Sequence, residues 1–319
     1  MDVATITVGE GEVTLYGLLA ALGALAAWGG CILLSPSHRI RRGKMVLYGP
    51  LAAFLGLLLG RLIYCALMSD DLFYDEMGHS LGLAPFFDLS QGSVCVIGVI
   101  AGCLLAAPLT GALTEEKAGR LLDAAALPGL LFFAFARLIE PLSGHGYGID
   151  VETEALQFFP LMLENGGLAV CYIEAALALL IAAALLPVRS RCCREGTLFL
   201  TALTLLSASQ ILPESFRQDE YLFIFIFARV NQLGYALFLA LALILALIRG
   251  KGQPRFVRSG AIDLLLLLLG AGVCIAAEFS LEGKLGFHWP DLIIYGIMGL
   301  ALCGMAFVTL RRVWKGDTL

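Results

Sequence analysis

The sequence predicts an all-α, polytopic integral membrane protein, and three observations lead to that fold class. Apolar residues make up 59% of the chain and charged residues only 15%, whereas soluble proteins have about 45–50% and about 25%. The apolar residues occur in blocks of about 20, the length of helix that crosses the hydrocarbon layer. Lysine and arginine concentrate in alternate connections between those blocks. A soluble domain of 319 residues could not bury so much apolar side chain in one core.

Nine apolar blocks have the length of a membrane-spanning helix. In chain order they cover residues 13–35, 46–68, 92–113, 121–141, 167–187, 196–213, 229–249, 260–279 and 289–310. Backbone groups in hydrocarbon must pair within the protein, so helices and closed barrels are the available spanning structures. A barrel would show alternating polarity over segments of about ten residues, and these blocks are continuous. We therefore expect nine spanning helices.

The basic residues predict how these helices are oriented. Sixteen of the 21 lysines and arginines lie in five connecting or terminal segments, at 37–44, 114–120, 188–195, 249–258 and 311–319. If all nine helices cross, these five segments share one side of the membrane. Because basic loops stay in the cytoplasm, we expect the N-terminus outside and the C-terminus in the cytoplasm.

Five basic residues are not explained by this topology: Arg61, Arg137, Arg217, Arg229 and Lys284. The four arginines are predicted at outer helix ends or in outer connections. A charge at membrane depth costs at least about 2.5–3.5 kcal/mol, which favours a partner or a function for each one. Snorkelling of single arginines to lipid phosphates is the alternative interpretation. Together, the four arginines indicate an anion-binding site that faces outward.

The segment "FARLIEPLSGHGYG" (135–148) follows the fourth block and has the richest chemistry. Arg137 and Glu140 are three residues apart, so both side chains share one helical face. Pro141 is expected to end the helix, and the glycines that follow let the backbone approach a ligand closely. The alternative is an ordinary helix end, where the arginine balances the negative end of the helix dipole.

A second polar segment, "QILPESFRQDE" (210–220), leaves the sixth block. Pro213 is expected to kink or end that helix, and Glu214 and Arg217 again have the spacing of an i,i+3 pair. The next helix opens with "FARVNQLGYALF" (227–238). An amphipathic outer connection would explain this segment if it stood by itself. Its composition, and the side on which it is predicted, match those of the first polar segment.

No metal, nucleotide or other cofactor is predicted. Most of the nine cysteines lie inside apolar blocks, where cysteine acts as a small apolar residue. The four histidines are scattered, so neither residue type has the clustered spacing of metal ligands. The sequence contains no phosphate-binding loop of the Walker type and no dinucleotide-binding fingerprint. An ATP-driven machine is therefore not expected.

The order of these motifs resembles the prolipoprotein diacylglyceryl transferase family over about residues 13–249. The motifs are Tyr-Gly-Leu in the first helix, Gly-Arg-Leu-x-Tyr in the second, the arginine-containing loop after the fourth, Glu-Ser-Phe-Arg after the sixth and Asn-Gln-Leu opening the seventh. The resemblance implies a seven-helix transferase-like membrane domain at 1–255. A C-terminal extension of two transmembrane helices at 256–319 lies outside that pattern.

Individual positions of the two family motifs are kept or replaced. In the loop, Arg137, Gly144 and Gly148 match the family's signature. Glu140 stands where the family has its first asparagine, and His145 stands where it has a glutamate. In the later motif, Glu214 and Arg217 match, whereas Gln210 replaces an arginine. The segment at 93–102, where the family has a histidine, contains none.

The resemblance implies transfer of a diacylglyceryl group from phosphatidylglycerol to the lipobox cysteine of a prolipoprotein, at the outer face of the bacterial plasma membrane. The partners are then a lipid and a signal peptide, not a nucleic acid. Guanidinium groups suit the phosphodiester, and imidazole changes its protonation near neutral pH, which suits a base for the thiol. We assign catalysis to His145, Glu140 and Glu214, phosphate binding to Arg137, Arg229, Arg61 and Arg217, and substrate positioning to Tyr16, Gly144, Gly148 and Gln232.

Within this assignment, Arg229 could replace in space the arginine missing at Gln210, and Glu140 or Glu214 could orient either His145 or an arginine. Two other classes of protein stay open. A divergent paralogue would bind a lipid headgroup without transfer, or would modify a different acceptor. A transporter also has intramembrane charges, but these usually lie near the midplane, whereas the charges here are predicted at the outer helix ends.

Overall fold

The computed structural model describes residues 5–8, 11–74, 79–88, 94–151, 157–163, 165–189, 192, 194–218, 224–225, 228–249, 254–281, 283 and 290–315. Its helices are α1 (Leu15–Leu34), α2 (Arg42–Leu67), α3 (Ser69–Phe73), α4 (Ala84–Phe87), α5 (Val96–Thr114), α6 (Ala118–Ile139), α7 (Val170–Leu185), α8 (Thr197–Phe216), α9 (Val230–Arg249), α10 (Pro254–Leu281) and α11 (Asp291–Lys315). Two antiparallel hairpins complete the elements, β1 (Thr5–Val8) with β2 (Gly11–Thr14) and β3 (Ile224–Phe225) with β4 (Ala228–Arg229).

Long apolar helices dominate the part of the chain that the structure describes. Seven helical spans there are long and apolar enough to cross a membrane, and they include α1, α2, α5, α6, α9, α10 and α11. α7 is apolar but shorter, and α8 carries Gln210 and Glu214 in its second half. The prediction of an all-α, polytopic membrane protein is confirmed.

Nine of the described helices coincide with the nine predicted blocks but differ at their ends, and seven of these nine, not all of them, are long and apolar enough to span a membrane. α2 begins at Arg42, four residues before the predicted block 46–68. α10 begins at Pro254, six residues before the predicted block 260–279. Polar and basic residues therefore form the first turns of these helices. α8 continues through Pro213 to Phe216, so this proline does not end the helix. A proline removes one intrahelical hydrogen bond, which a helix packed against neighbours tolerates.

The chain divides into two compact units. One comprises Trp28–Ala124 and the other comprises Met1–Ala27 together with Ala125–Leu319. The two C-terminal helices, α10 and α11, thus belong to the same unit as α7, α8 and α9. The functional residues discussed below lie in this larger unit, with Arg61 as the exception.

In the smaller unit, α2 and α5 pack closely through two pairs of glycines. A Cβ atom on Gly98 would lie 2.5 Å from the Cα of Gly60, and one on Gly102 would lie 2.4 Å from the backbone nitrogen of Gly56. Each helix therefore contributes two glycines four residues apart. This small-xxx-small pattern lets helix backbones approach each other in a membrane, so the pairing of α2 with α5 is specified by glycine spacing.

In the larger unit, α8 is the central helix. It contacts α7, α9 and α11, and most of its side chains are buried. Its buried residues include Thr201, Thr204 and Ser207. The first two donate their hydroxyl hydrogens to carbonyl oxygens one turn earlier, at 2.8 and 2.7 Å. Small polar residues of this kind suit helix interfaces in membranes.

A buried ion pair joins α10 to α11. The Arg312 guanidinium donates to the Asp263 carboxylate, and both side chains are buried. Most leucines of α10 near Asp263 are exposed, as expected for a surface that faces lipid. The exposed leucines are Leu264, Leu265, Leu266, Leu268 and Leu269. The pair therefore fixes which face of α10 packs inward.

Replacing Asp263 by alanine is expected to lower stability by about 2–3 kcal/mol, because a buried guanidinium loses the carboxylate that accepts its hydrogen bond. Thermal unfolding in detergent, compared with the exposed-site control Leu268→Ala, measures this change. A double variant with leucine at both Asp263 and Arg312 should recover part of the loss. Equal unfolding temperatures for Asp263→Ala and the wild type would contradict the prediction.

Candidate active site

Five charged side chains meet in the interior of the larger unit, and we call them the ion cluster: Arg137, Glu140, Glu174, Glu214 and Arg217. They come from the end of α6, the 3₁₀ turn that follows it (Glu140–Ser143), the first turns of α7 and the end of α8. Glu174 and Glu214 are fully buried, and Arg217 is 1% exposed. Burying five charges costs free energy unless each charge is paired. The pairing of these side chains therefore determines whether the arrangement is stable.

Arg217 is the centre of the cluster. Its two terminal nitrogens donate to the two Glu140 oxygens, both at 2.9 Å, in a bidentate arrangement. Glu174 accepts from the same guanidinium at 2.7 and 3.4 Å, and Glu214 lies 3.7 Å from Nε. Bidentate pairs with arginine are among the strongest charge-assisted hydrogen bonds. All three carboxylates are therefore held by one guanidinium.

Arg137 contacts the same three carboxylates from the other side. Its Nη1 donates to Glu140 at 2.9 and 3.0 Å, its Nε lies 2.9 Å from Glu174 and its Nη2 lies 3.6 Å from Glu214. The i,i+3 pair predicted for Arg137 and Glu140 is thus present. The guanidinium also lies 5.2 Å from the centre of the Phe133 ring. Tyr235 is a further neighbour of this guanidinium, which is thus surrounded by three carboxylates and two aromatic side chains.

Each carboxylate of the cluster is shared between two arginines. Glu140, Glu174 and Glu214 each lie within 4 Å of both guanidiniums. Since the interior has a low effective dielectric constant, this alternation of charges holds the side chains in one arrangement. The site therefore presents its donors without the reorganisation that flexible surface charges would need.

Sequence reasoning did not single out Glu174, although it is the most deeply placed carboxylate of the set. It lies in "VCYIEAALALL", inside the fifth predicted block. The signal was available, because an ionisable residue within an apolar span marks a functional or paired position.

The glycines of the loop after α6 allow the backbone to turn against the cluster. Gly144 has φ 79° and closes the 3₁₀ turn by donating to the Pro141 carbonyl at 3.0 Å. Gly146 has φ 95°, and a Cβ atom there would lie 2.8 Å from the Cβ of Cys171 and 3.4 Å from the Cγ of Glu140. Left-handed backbone and this close approach both require glycine.

Gly148 ties the same loop to the end of α8. It forms an isolated antiparallel bridge with Arg217, and Ile149 donates to the Phe216 carbonyl at 2.9 Å. A Cβ atom on Gly148 would lie 2.4 Å from that carbonyl oxygen. The glycine thus permits direct backbone pairing beside Arg217, which fixes the loop against the ion cluster.

His145 lies between the two left-handed glycines of this loop and is half-buried. The carbonyl of the next residue, Gly146, accepts from the backbone of Cys171 at 3.1 Å. Hydrogen bonds of the two flanking glycines, Gly144 and Gly146, therefore fix the backbone on either side of His145. His145 lies five residues after Glu140 in this loop, and its role as a base stays a prediction.

Tyr16 lies in the first turn of α1, within the larger unit. Its hydroxyl is close enough to the cluster that Glu140, Arg137 and Arg217 are its main electrostatic neighbours. An interfacial aromatic residue would need no such neighbours. The structure therefore groups this tyrosine with the predicted site.

A second polar group lies beside the ion cluster, and we call it the α10 junction: Ser215, Gln232 and Glu278. Gln232 donates to Glu278 at 2.8 Å and to Ser215 at 2.9 Å, and Ser215 donates to Glu278 at 2.6 Å. The Gln232 oxygen accepts from the backbone of Arg229 at 2.9 Å. The guanidinium of Arg229 in turn donates to the Arg217 carbonyl, so the junction connects to the cluster.

Three further buried polar residues of α8 and α9 were not assigned from the sequence: Gln210, Asn231 and Tyr235. Asn231 donates to Glu214 at 2.9 Å, and Tyr235 has Arg137, Glu174 and Glu214 as electrostatic neighbours. The side-chain oxygens of Gln210 and Asn231, and one oxygen of Glu214, are buried without a hydrogen-bond partner among the described residues. Such atoms indicate a polar space that a ligand or water would satisfy.

Arg61 belongs to the smaller unit, whereas the other predicted arginines belong to the larger one. Its side chain is buried and donates to the backbone carbonyls of Pro85, Phe86 and Asp88, with distances of 3.1 Å to Phe86 and 2.8 Å to Asp88. The guanidinium also lies 5.5 Å from the centre of the Tyr64 ring. These contacts give Arg61 a role in holding the segment around α4.

Across the described ranges, no group of three histidine, cysteine, aspartate or glutamate side chains could hold a metal ion. The three carboxylates of the cluster face guanidiniums and not an open space between themselves. The arrangement consists of two buried guanidiniums that hold three carboxylates, with His145 in the adjoining glycine loop.

Comparison with known proteins identifies the family. The family model described as prolipoprotein diacylglyceryl transferase matches residues 3–249, which is more than half of the chain. No curated protein matches the chain at a significant level. The matched residues contain the whole ion cluster, the glycine loop and Tyr16, and the family supports a transferase role in general terms. The chain belongs to the prolipoprotein diacylglyceryl transferase family.

Proposed function

We propose that the protein transfers the diacylglyceryl group of phosphatidylglycerol to the lipobox cysteine of prolipoproteins, at the outer face of the bacterial plasma membrane. The observation that carries this proposal is the ion cluster, which holds two arginines at fixed helix ends within the region that the family matches. The N-terminus would lie outside and the C-terminus in the cytoplasm, as the basic loops predict.

The phosphodiester would bind at the arginines. Arg137 and Arg217 bring two guanidiniums to the cluster, and Arg229 adjoins the cluster at the Arg217 carbonyl. A guanidinium can bind two phosphate oxygens at once. Arg217 would act mainly by holding the carboxylates.

The reaction is a substitution at a glycerol carbon. The cysteine sulfur forms a bond with the carbon of the diacylglyceryl group that is attached to the phosphate. The bond between that carbon and the phosphate oxygen breaks. Glycerol phosphate leaves with the electron pair, and the thiol proton passes to a base. His145 is our candidate for that base, since imidazole takes up a proton near neutral pH. Donors fixed at the leaving phosphate would lower the barrier as charge develops there.

The remaining assigned residues would position these groups. Glu140 and Glu214 contact both arginines of the cluster, so the geometry favours orientation of arginines over orientation of His145. Tyr16 would contact the headgroup or the acceptor. Three residues would keep the loop and Arg229 in place: Gly144, Gly148 and Gln232.

Purified protein in vesicles that contain labelled phosphatidylglycerol tests the proposal directly. With a lipobox peptide present, we expect mass spectrometry to detect the diacylglyceryl thioether and released glycerol phosphate. The protein should also restore lipoprotein modification in cells depleted of their own transferase. Binding of the lipid without any product would instead indicate a divergent headgroup-binding protein, and a modified molecule other than the peptide would indicate a different acceptor.

Replacing His145 by alanine is expected to lower kcat by about 100-fold, the usual contribution of a general base. The KM for phosphatidylglycerol should change little, because the arginines are untouched. His79→Ala is the matched control, since His79 is exposed and lies in the smaller unit. An unchanged kcat for His145→Ala, measured in the vesicle assay, would remove His145 from the mechanism.

A further inference from the structure

We propose that Glu278, on the C-terminal helix α10, is a positioning residue for the headgroup-binding arginine Arg229. This inference rests on the proposed function, because it assigns Arg229 to the lipid phosphate. Glu278 lies beyond residues 3–249, the part of the chain that the family matches. The two-helix extension would then complete the site and not merely follow it.

The first step is the contact between helices. Glu278 lies near the end of α10, and its Oε1 accepts hydrogen bonds from Ser215 on α8 and from Gln232 on α9, at 2.6 and 2.8 Å. Ser215 and Glu214 are neighbours in sequence, so the carboxylate of the extension binds the turn of α8 that also carries part of the ion cluster. One oxygen thus joins three helices.

The second step is the orientation of the Gln232 amide. Its nitrogen donates to Glu278 and Ser215, and its oxygen accepts from the backbone nitrogen of Arg229 at 2.9 Å. An amide turned the other way would place its oxygen against the Glu278 carboxylate, and two acceptors would face each other. The Ile211 carbonyl accepts from the same nitrogen at 3.3 Å and favours the same orientation, and the Glu278 carboxylate adds a shorter, charge-assisted contact.

The third step leads to the arginine. The oriented Gln232 oxygen holds the backbone of Arg229 just before the first turn of α9. The guanidinium of Arg229 then donates to the carbonyl of Arg217, the residue that caps α8. Glu278 therefore acts on Arg229 through Gln232, without touching the lipid itself.

The test separates positioning from stability. In the vesicle assay, Glu278→Ala is expected to raise the KM for phosphatidylglycerol by about tenfold with kcat within about twofold, since one buried amide loses its partner. Gln232→Ala should raise KM to a similar extent, and the double variant should raise it no further, because both changes act through one path. Glu278→Gln keeps an acceptor oxygen and should recover most of the KM.

Asp263→Asn is the matched control, because it loosens α10 on α11 without touching Gln232. It should lower the unfolding temperature and leave KM unchanged. A wild-type KM for Glu278→Ala, or additive effects of Glu278→Ala and Gln232→Ala, would overturn the inference while the transferase function stands.

Direct binding of phosphatidylglycerol, measured from the shift of the unfolding temperature with lipid concentration, separates the inference from the proposed function. If the wild type binds the lipid without transferring it, and Glu278→Ala binds it about tenfold more weakly, Glu278 still positions the headgroup site and only the transfer proposal fails. If the wild type neither binds nor transfers, both proposals are wrong.

Discussion

Replacing Arg217 by alanine is expected to destabilise the protein by about 3–5 kcal/mol, the usual result of breaking a buried ion pair. Arg217 is 1% exposed and donates to both Glu140 and Glu174. Without it, three buried carboxylates would share the single guanidinium of Arg137. Thermal unfolding in detergent measures the loss, which should be a large fraction of the total stability of a typical domain.

Two comparisons sharpen this prediction. Arg194→Ala removes an exposed arginine at the other end of α8 and should unfold close to the wild-type temperature. Arg217→Ala combined with Glu140→Gln removes one surplus negative charge and should recover part of the loss. If Arg217→Ala unfolds at the wild-type temperature, the cluster does not hold the helices together.

Replacing Arg137 by alanine is expected to lower kcat/KM for lipid transfer by about 100-fold or more, because a fixed donor to the developing phosphate charge is lost. Arg137→Lys is the informative companion variant. A lysine keeps one positive charge near the carboxylates, but it cannot offer the planar set of donors that spans them. It should therefore fold well and still transfer slowly, which the vesicle assay measures.

Arg120→Ala is the matched control for Arg137, since Arg120 lies in the first turn of the same helix and pairs with Glu116. Its transfer rate should equal that of the wild type. Transfer by Arg137→Lys at the wild-type rate would show that only the charge matters there. It would also show that the bidentate contact proposed for the lipid phosphate is unnecessary.

The helices could be predicted from the sequence because hydrocarbon imposes a length and a composition on them. The ends of the helices could not be predicted, because they depend on tertiary contacts that an apolar sequence pattern does not contain. α8 passes through Pro213 because it is enclosed by other helices. The N-terminal hairpin, Thr5–Val8 with Gly11–Thr14, is too short to give a clear alternating pattern.

The candidate site could be predicted where its residues are neighbours in sequence. The spacing of Arg137 and Glu140, and of Glu214 and Arg217, places each pair on one helical face, and both pairs occur. Contacts between residues that are far apart in sequence could not be predicted from helical spacing. Glu174 and Glu278 lie 43 and 63 residues from their partners Arg217 and Ser215, and no local spacing connects them.

The i,i+3 pairs also bear on how the protein enters the membrane. Arg137 and Glu140 belong to one span, and Glu214 and Arg217 belong to one helix. Each of these segments therefore brings a counter-charge with it when it leaves the aqueous phase, which reduces the cost of inserting an isolated charge. Arg217 meets Glu140 only after 77 residues have been added to the chain. The two arginines of the cluster can thus enter the membrane beside a carboxylate of their own segment, and they exchange partners when α7 contributes Glu174.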